Sequence, residues 1–200
     1  MWVMTEEIAG EAVPERWTAS TVSADLWVDP DDDLRDTGTE LHDERSVLVD
    51  YLRVYRLTME MKCAGLDAGQ LARRSVPPST MSLLGLIRHM ADVERSWFRR
   101  VMAGEDAPPL YWTEGEADVE WTGAIADPEV VARAWDDWRG EVGYAERYVT
   151  GSGDLGIRGT MRDGKTVSLR EVIVHMIEEY ARHCGHADLL RERIDGRVGQ

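Results

Sequence analysis

Lysine is nearly missing from this 200-residue chain: it stands only at Lys62 and Lys165, while acidic residues number 38. Even with arginine the basic residues total 23, which leaves a formal net charge of −15. A field of that sign repels polyanions, so neither nucleic acid nor an anionic membrane surface is expected as a partner. Cysteine is scarce as well. Cys63 and Cys184 are too few for a disulfide framework, and nothing points to an exported protein. No apolar run approaches the ~20 residues of a membrane span. The opening "MWVMTEEIAG" lacks a basic region followed by an apolar run, so no signal peptide is expected. A cytoplasmic protein is the default reading. Phenylalanine occurs once, but eight tryptophans and 43% hydrophobic residues indicate a packed core rather than disorder.

Residues 1–40 differ from the remainder. "DLWVDPDDDLRDTGTE" is acidic, rich in turn formers and without sustained period, although Trp17, Trp27 and Val28 could pack on the body. It reads as an irregular acidic extension. From about residue 41 to residue 200 a helical period takes over. A first helix is expected from Leu41 to Ala64, with Val47, Leu48, Tyr51, Leu52 and Tyr55 on its apolar face, before "SVPPST" breaks the chain. A second runs from Ser82 to Gly104 and carries Leu83, Leu86, Ile87, Met90, Val93, Trp97 and Val101. A third starts at Asp127 as N-cap with Pro128 behind it. Asp163-Gly164 suggests a tight turn or short hairpin, and Ser168 with Glu171 forms a capping box for a fourth helix reaching about Arg193. The expected fold is all-α: a four-helix bundle with long loops after the second and third helices.

The fourth helix contains "HMIEEYARHCGHADLLRE", with three of the five histidines in its first twelve residues. On a wheel at about 100° per residue with His175 at zero, the apolar arc spans about 60° to 160°. Glu179 falls near 40° and His183 near 80°, so both face the bundle, while His175 and His186 sit at the edge of the arc at about 0° and 20°. An inward carboxylate needs an arginine, a protonated histidine or a cation to meet it. An acidic residue and a histidine four apart can reach one ion, and a third ligand would come from another helix. His89, on the second helix near the border of its apolar face, suits that role better than His42 at a fraying helix start. His89, Glu179 and His183 are therefore the candidate metal ligands. The alternative also stands: Glu179 and His183 could simply pair with each other. Glu94, on the inner arc of the second helix, is expected to pair with an arginine, a supporting role beside a metal being the weaker option. Trp112 and Trp121 are candidates for a pocket wall. Cys184 faces away and is expected to be inert.

The phrases "SLLGLIRHMADVERSWFRRVMAGED", "PLYW" and "VIVHMIEEYARHCGHADLLRERIDG" resemble the DinB-like superfamily of metal-binding four-helix bundles. The resemblance covers about residues 42 to 198 and is closest to the branch found in bacteria that use mycothiol as their low-molecular-weight thiol. In that superfamily one histidine on the second helix joins a His-x-x-x-His pair late in the chain; here the pair becomes Glu179 and His183, with His89 first. The His, Glu, His version is similar to that of the mycothiol-dependent maleylpyruvate isomerase branch, which binds zinc. Three protein ligands would leave a fourth position open. A thiol entering there would lose its proton and become a nucleophile.

The resemblance thus implies a divalent-metal-dependent thiol S-transferase, in which a mycothiol-like thiol attacks small electrophiles. Zinc is the favoured ion, and nickel or iron(II) would suit the same donors. Two other readings stay open: a hydrolase or isomerase using activated water, or a non-enzymatic helical binding protein. Bundles of this size commonly dimerise, so a homodimer is compatible with the sequence. His175 and His186 are expected beside the metal or at the surface, with either able to replace one of the three ligands.

Overall fold

The computed structural model describes residues 14–16, 26–28, 30–112 and 119–199; Trp17 lies outside them. The helical elements are α1 (Glu44–Cys63), α2 (Ala68–Ala72), α3 (Leu83–Glu94), α4 (Val119–Thr122), α5 (Pro128–Gly151) and α6 (Leu169–Asp195), with a two-stranded hairpin, β1 (Arg158–Thr160) and β2 (Thr166–Ser168), before α6. The all-α bundle is α1, α3, α5 and α6, with α1 packed on α6 and α3 on α5. The two short helices α2 and α4 lie in stretches where the sequence shows no helical period.

Capping explains where the long helices begin. The Asp43 side chain accepts from Ser46 N–H while Ser46 closes the box on the Asp43 backbone, so α1 starts three residues later than its apolar pattern suggests. Ser82 caps α3, Asp127 caps α5 ahead of Pro128, and Ser168 with Glu171 forms the expected box on α6. The Asp163-Gly164 turn joins two antiparallel strands paired Arg158 to Ser168 and Thr160 to Thr166.

Two inner faces differ from the expected ones. On α1 the buried seam is Leu52, Arg56, Met59 and Cys63, while Tyr51 is 55% exposed. The apolar pattern is misaligned because a charged residue, Arg56, occupies the centre of the seam. The other side of α1 is covered by the extension: Arg35 donates to Thr58 at 3.2 Å, Arg53 donates to the Arg35 carbonyl at 2.6 Å, and the Lys62 ammonium stands 4.1 Å from the buried Trp27 ring.

On the second long helix, Val93, Trp97 and Val101 are half-buried; Glu94 faces the core as its inner-arc position implies, and Phe98 and Met102 face it beyond. The helix widens to π geometry from Arg95 to Met102, and the Ala103 N–H reaches the Phe98 carbonyl at 3.0 Å. Four-residue steps stay inward in a wider turn, whereas the α-helical count rotates them away.

Glu94, the last residue of α3 and on the same face as Ile87 and Met90, is completely buried. Arg56 meets it with two N–H donors at 2.8 Å, and the Tyr180 hydroxyl donates to it at 2.8 Å. Trp138 Nε1 in turn donates to the Tyr180 oxygen at 2.9 Å. One polar network thereby joins α1, α3, α5 and α6 at the centre of the bundle. Around it pack Leu86, Ile87, Met90, Phe98, Met176 and Ile173, each fully buried; burial of such side chains contributes roughly 1.5–3 kcal/mol apiece.

Candidate metal centre

His89 projects from α3 near the middle of its length, and Glu179 and His183 project from α6 one turn apart. Their donor atoms all lie within 4.8 Å of one another. The imidazoles of His89 and His183 meet edge on with centroids 4.8 Å apart. The Glu179 carboxylate reaches both neighbours on its own helix, with Oε2 3.4 Å from His183 Nε2 and Oε1 3.5 Å from His175 Nε2. Arg182 comes within 3.8 Å of the same carboxylate. His186 stands on the far side of His183, Nδ1 to Nδ1 at 3.3 Å. His42 is elsewhere, exposed at the start of the bundle with Glu40 3.7 Å away.

The electrostatics keep the two central imidazoles neutral. Burial pushes His183 down to about 4, helped by the positive fields of His89, His186 and Arg182. Burial also lowers His89, against the pull of Glu120, Glu179 and Asp92. A neutral imidazole keeps a lone pair free to ligate, and a carboxylate beside two such rings supplies the balancing charge. This is a donor set suited to a borderline divalent cation. To hold one ion, the three side chains would draw closer than their present separation.

Several neighbours could not be anticipated. Glu120 and Trp121, on α4, close over His89: the indole stacks on the imidazole at 5.5 Å, and Glu120 Oε1 is 4.0 Å from Nδ1. The second Glu120 oxygen is buried without a hydrogen-bond partner. Gly85 makes this approach possible, since a Cβ there would stand 2.6 Å from the Trp121 ring. Trp121 was expected in a pocket wall and lies against the candidate ligand itself. Trp97, expected in the core, packs on His175 at 4.7 Å. No periodicity in residues 104–126 signals any of this.

A cavity of about 370 Å³ opens beside His89, lined by Trp97, Arg100, Trp112, Glu120 and Arg162 among others. Asp92 secures its rim. Its two carboxylate oxygens accept the backbone N–H groups of Leu110, Tyr111 and Trp112 at 2.6, 2.8 and 3.1 Å. Glu94, by contrast, is spent on Arg56 and Tyr180 and takes no part in the site. Both cysteines are buried thiols: burial raises Cys63 and Cys184 to about 12, which disfavours the thiolate, and Cys184 Sγ donates to the Tyr55 carbonyl at 3.6 Å.

Among the described residues no helix is long and apolar enough to cross a membrane. No curated protein matches the chain. A crystal structure of a conserved protein from Enterococcus faecalis aligns over 78% of this chain and 100% of its own, with a TM-score of 0.55 and 15% identity, a likeness of fold alone. The family profile of the mycothiol-S-transferases matches residues 47–196. This chain belongs to the mycothiol-S-transferase family, within the DinB-like superfamily.

Proposed function

We propose that the chain is a divalent-metal-dependent thiol S-transferase, with His89, Glu179 and His183 holding the ion and a low-molecular-weight thiol of the mycothiol type as cosubstrate. One observation carries the reading: two imidazoles held neutral and one carboxylate converge from two helices beside an open cavity. A divalent cation held there would lower the pKa of a thiol reaching it and so supply the nucleophile. Zinc is the ion assigned, and nickel or iron(II) fits the same donors.

The protein's own groups have distinct parts. His175 and Arg182 orient the Glu179 carboxylate, and Trp121 restrains the His89 ring. Trp97 and Trp112 offer apolar walls for an electrophile and keep water from it. Since Cys63 and Cys184 are buried thiols, the attacking sulfur comes from outside the chain. The unit that does this is residues 41–200, with residues 1–40 as a separate extension.

The test is conjugation of chlorobimane with mycothiol. Turnover above the uncatalysed rate in metal-loaded protein, lost on chelation and in Glu179→Ala, is the expected result. No conjugation by protein of verified metal content would defeat the proposal. A second reading, hydrolysis or isomerisation through activated water, is favoured by the unpartnered Glu120 oxygen, a carboxylate able to take a proton from water. Turnover with no thiol present distinguishes it.

A further inference from the structure

Two arginines share the cavity beside His89. Arg100 is half-buried on the π-widened end of α3, and Arg162 is exposed at the tip of the hairpin. Neither guanidinium makes a hydrogen bond or ion pair with any described residue. Other arginines on the same side of the bundle differ. Arg95 and Arg99 are bonded to Glu141 at 2.7 and 2.6 Å, and Arg88 donates to the Glu120 and Val119 carbonyls at 2.9 and 3.1 Å. In a chain of net charge −15, acidic partners are plentiful. Arg74 and Arg147 also lack one but stand exposed and apart; only Arg100 and Arg162 are left so in a shared cavity.

The fold holds them there. The hairpin packs against the end of the π segment because residue 159 is glycine; a Cβ at that position would collide with the Val101 carbonyl. His89, Val93, Trp97 and Arg100 follow one face of a single helix, and helical side chains lean toward the N-terminus, which tilts Arg100 back toward His89. The two charges feel each other: burial lowers the Arg100 pKa, and Arg162 lowers it further. Asp92 and Asp106 act on Arg100 in the opposite sense, but the Asp92 oxygens are occupied by the three rim amides. The cavity therefore has the candidate metal ligand and Glu120 at one end, tryptophan walls between, and two guanidinium groups at the other.

We propose that Arg100 and Arg162 form a carboxylate subsite, so that the electrophile accepted here is an acid with an apolar spacer between its carboxylate and its reactive carbon. The inference rests on the transferase reading for the word electrophile and on the arginine pair for the anion. A carboxylate suits the site because its two oxygens match the forked N–H donors of arginine. The aromatic walls set the spacer, which must place the reactive carbon near His89 while the acid stays at the cavity mouth.

The experiment measures binding, not turnover. The full chain, metal-loaded, is titrated with 4-methylbenzoate and with its uncharged counterpart 4-methylbenzamide, following tryptophan fluorescence and heat. The acid is expected to bind at least about tenfold tighter than the amide, and the preference to shrink with added salt. Arg100→Gln and Arg162→Gln should each remove most of that preference, with unchanged circular dichroism and melting. Equal affinity for acid and amide overturns the proposal, as does absence of saturable acid binding. A preference that survives the double substitution also overturns it, because the acid would then be sitting on the metal. The two readings fail separately: acid preference without conjugation of any electrophile defeats the transferase alone, and conjugation of neutral electrophiles without acid preference defeats the subsite alone.

Discussion

The imidazoles of His89 and His183 meet edge to face with centroids 4.8 Å apart, one from α3 and one from α6. Neither ring is within hydrogen-bonding reach of a group on the other's helix that would explain the approach. One buried and one half-buried imidazole, both neutral, beside a carboxylate gain their value when something positive joins them.

Substitution of His89 or Glu179 by alanine should lower the divalent metal content of purified protein from near one equivalent to near zero, as read by elemental analysis. A metal held by the folded state and not the unfolded one would stabilise the fold, so chelation should lower the melting temperature. At a thousandfold excess over Kd the linkage is about 4 kcal/mol, which for a chain of this size is a drop of roughly 10 °C. An unchanged melting curve after stripping would count against the site.

The metal-free protein should lose stability as pH falls from about 6.5 toward 4. His183 is pushed down from 6.5 to about 4 in the folded state, so the unfolded chain binds more protons between those values. The contribution is complete above 6.5 and disappears as pH approaches the folded value. It amounts to at most about 3 kcal/mol. Urea midpoints measured across that range should slope less in His183→Gln than in the parent.

Glu94→Leu should destabilise by about 3–5 kcal/mol, since Arg56 is left buried without its partner. Replacing both, Arg56→Met with Glu94→Leu, should recover part of the loss. Urea unfolding reads both values, and metal content should not change in either variant, because the network does not touch the site.

Asp92→Ala removes the acceptor for three amide N–H groups at the cavity rim. The expected loss is about 1–3 kcal/mol, together with greater access of acrylamide to Trp112, measured by fluorescence quenching.

Cys63 and Cys184 should react slowly with a disulfide reagent in the folded protein and promptly in urea. Under the proposed transferase reading, Cys184→Ala should keep thiol transfer, since its buried sulfur does not reach the cavity.

Much of the candidate centre could be read from residue spacing. Glu179 and His183 are four apart on an amphipathic helix, so local geometry alone turns both to one side, and the scarcity of histidine elsewhere leaves His89 as the partner. What surrounds them could not be read in that way. Glu120 and Trp121 lie in a stretch with no period, and their place over His89 follows from packing on Gly85. Tyr51 turns outward because Arg56 occupies the α1 seam, and the place of Arg56 there depends on Glu94 coming from another helix. Glu94 is inward on an ideal wheel as well, but the inward turn of Phe98 and Met102 falls in a π-widened segment whose register such a wheel does not reproduce.

The four long helices, the caps of α5 and α6 and the acidic character were determined by the sequence itself, because periodicity, capping boxes and charge act over a few residues. The cavity and its two arginines were decided by tertiary structure. Arg100 and Arg162 stand on separate elements, and only the close contact of the hairpin with the π segment, through Gly159, brings two like charges to one opening. No local rule favours that juxtaposition; the packing of the whole bundle imposes it.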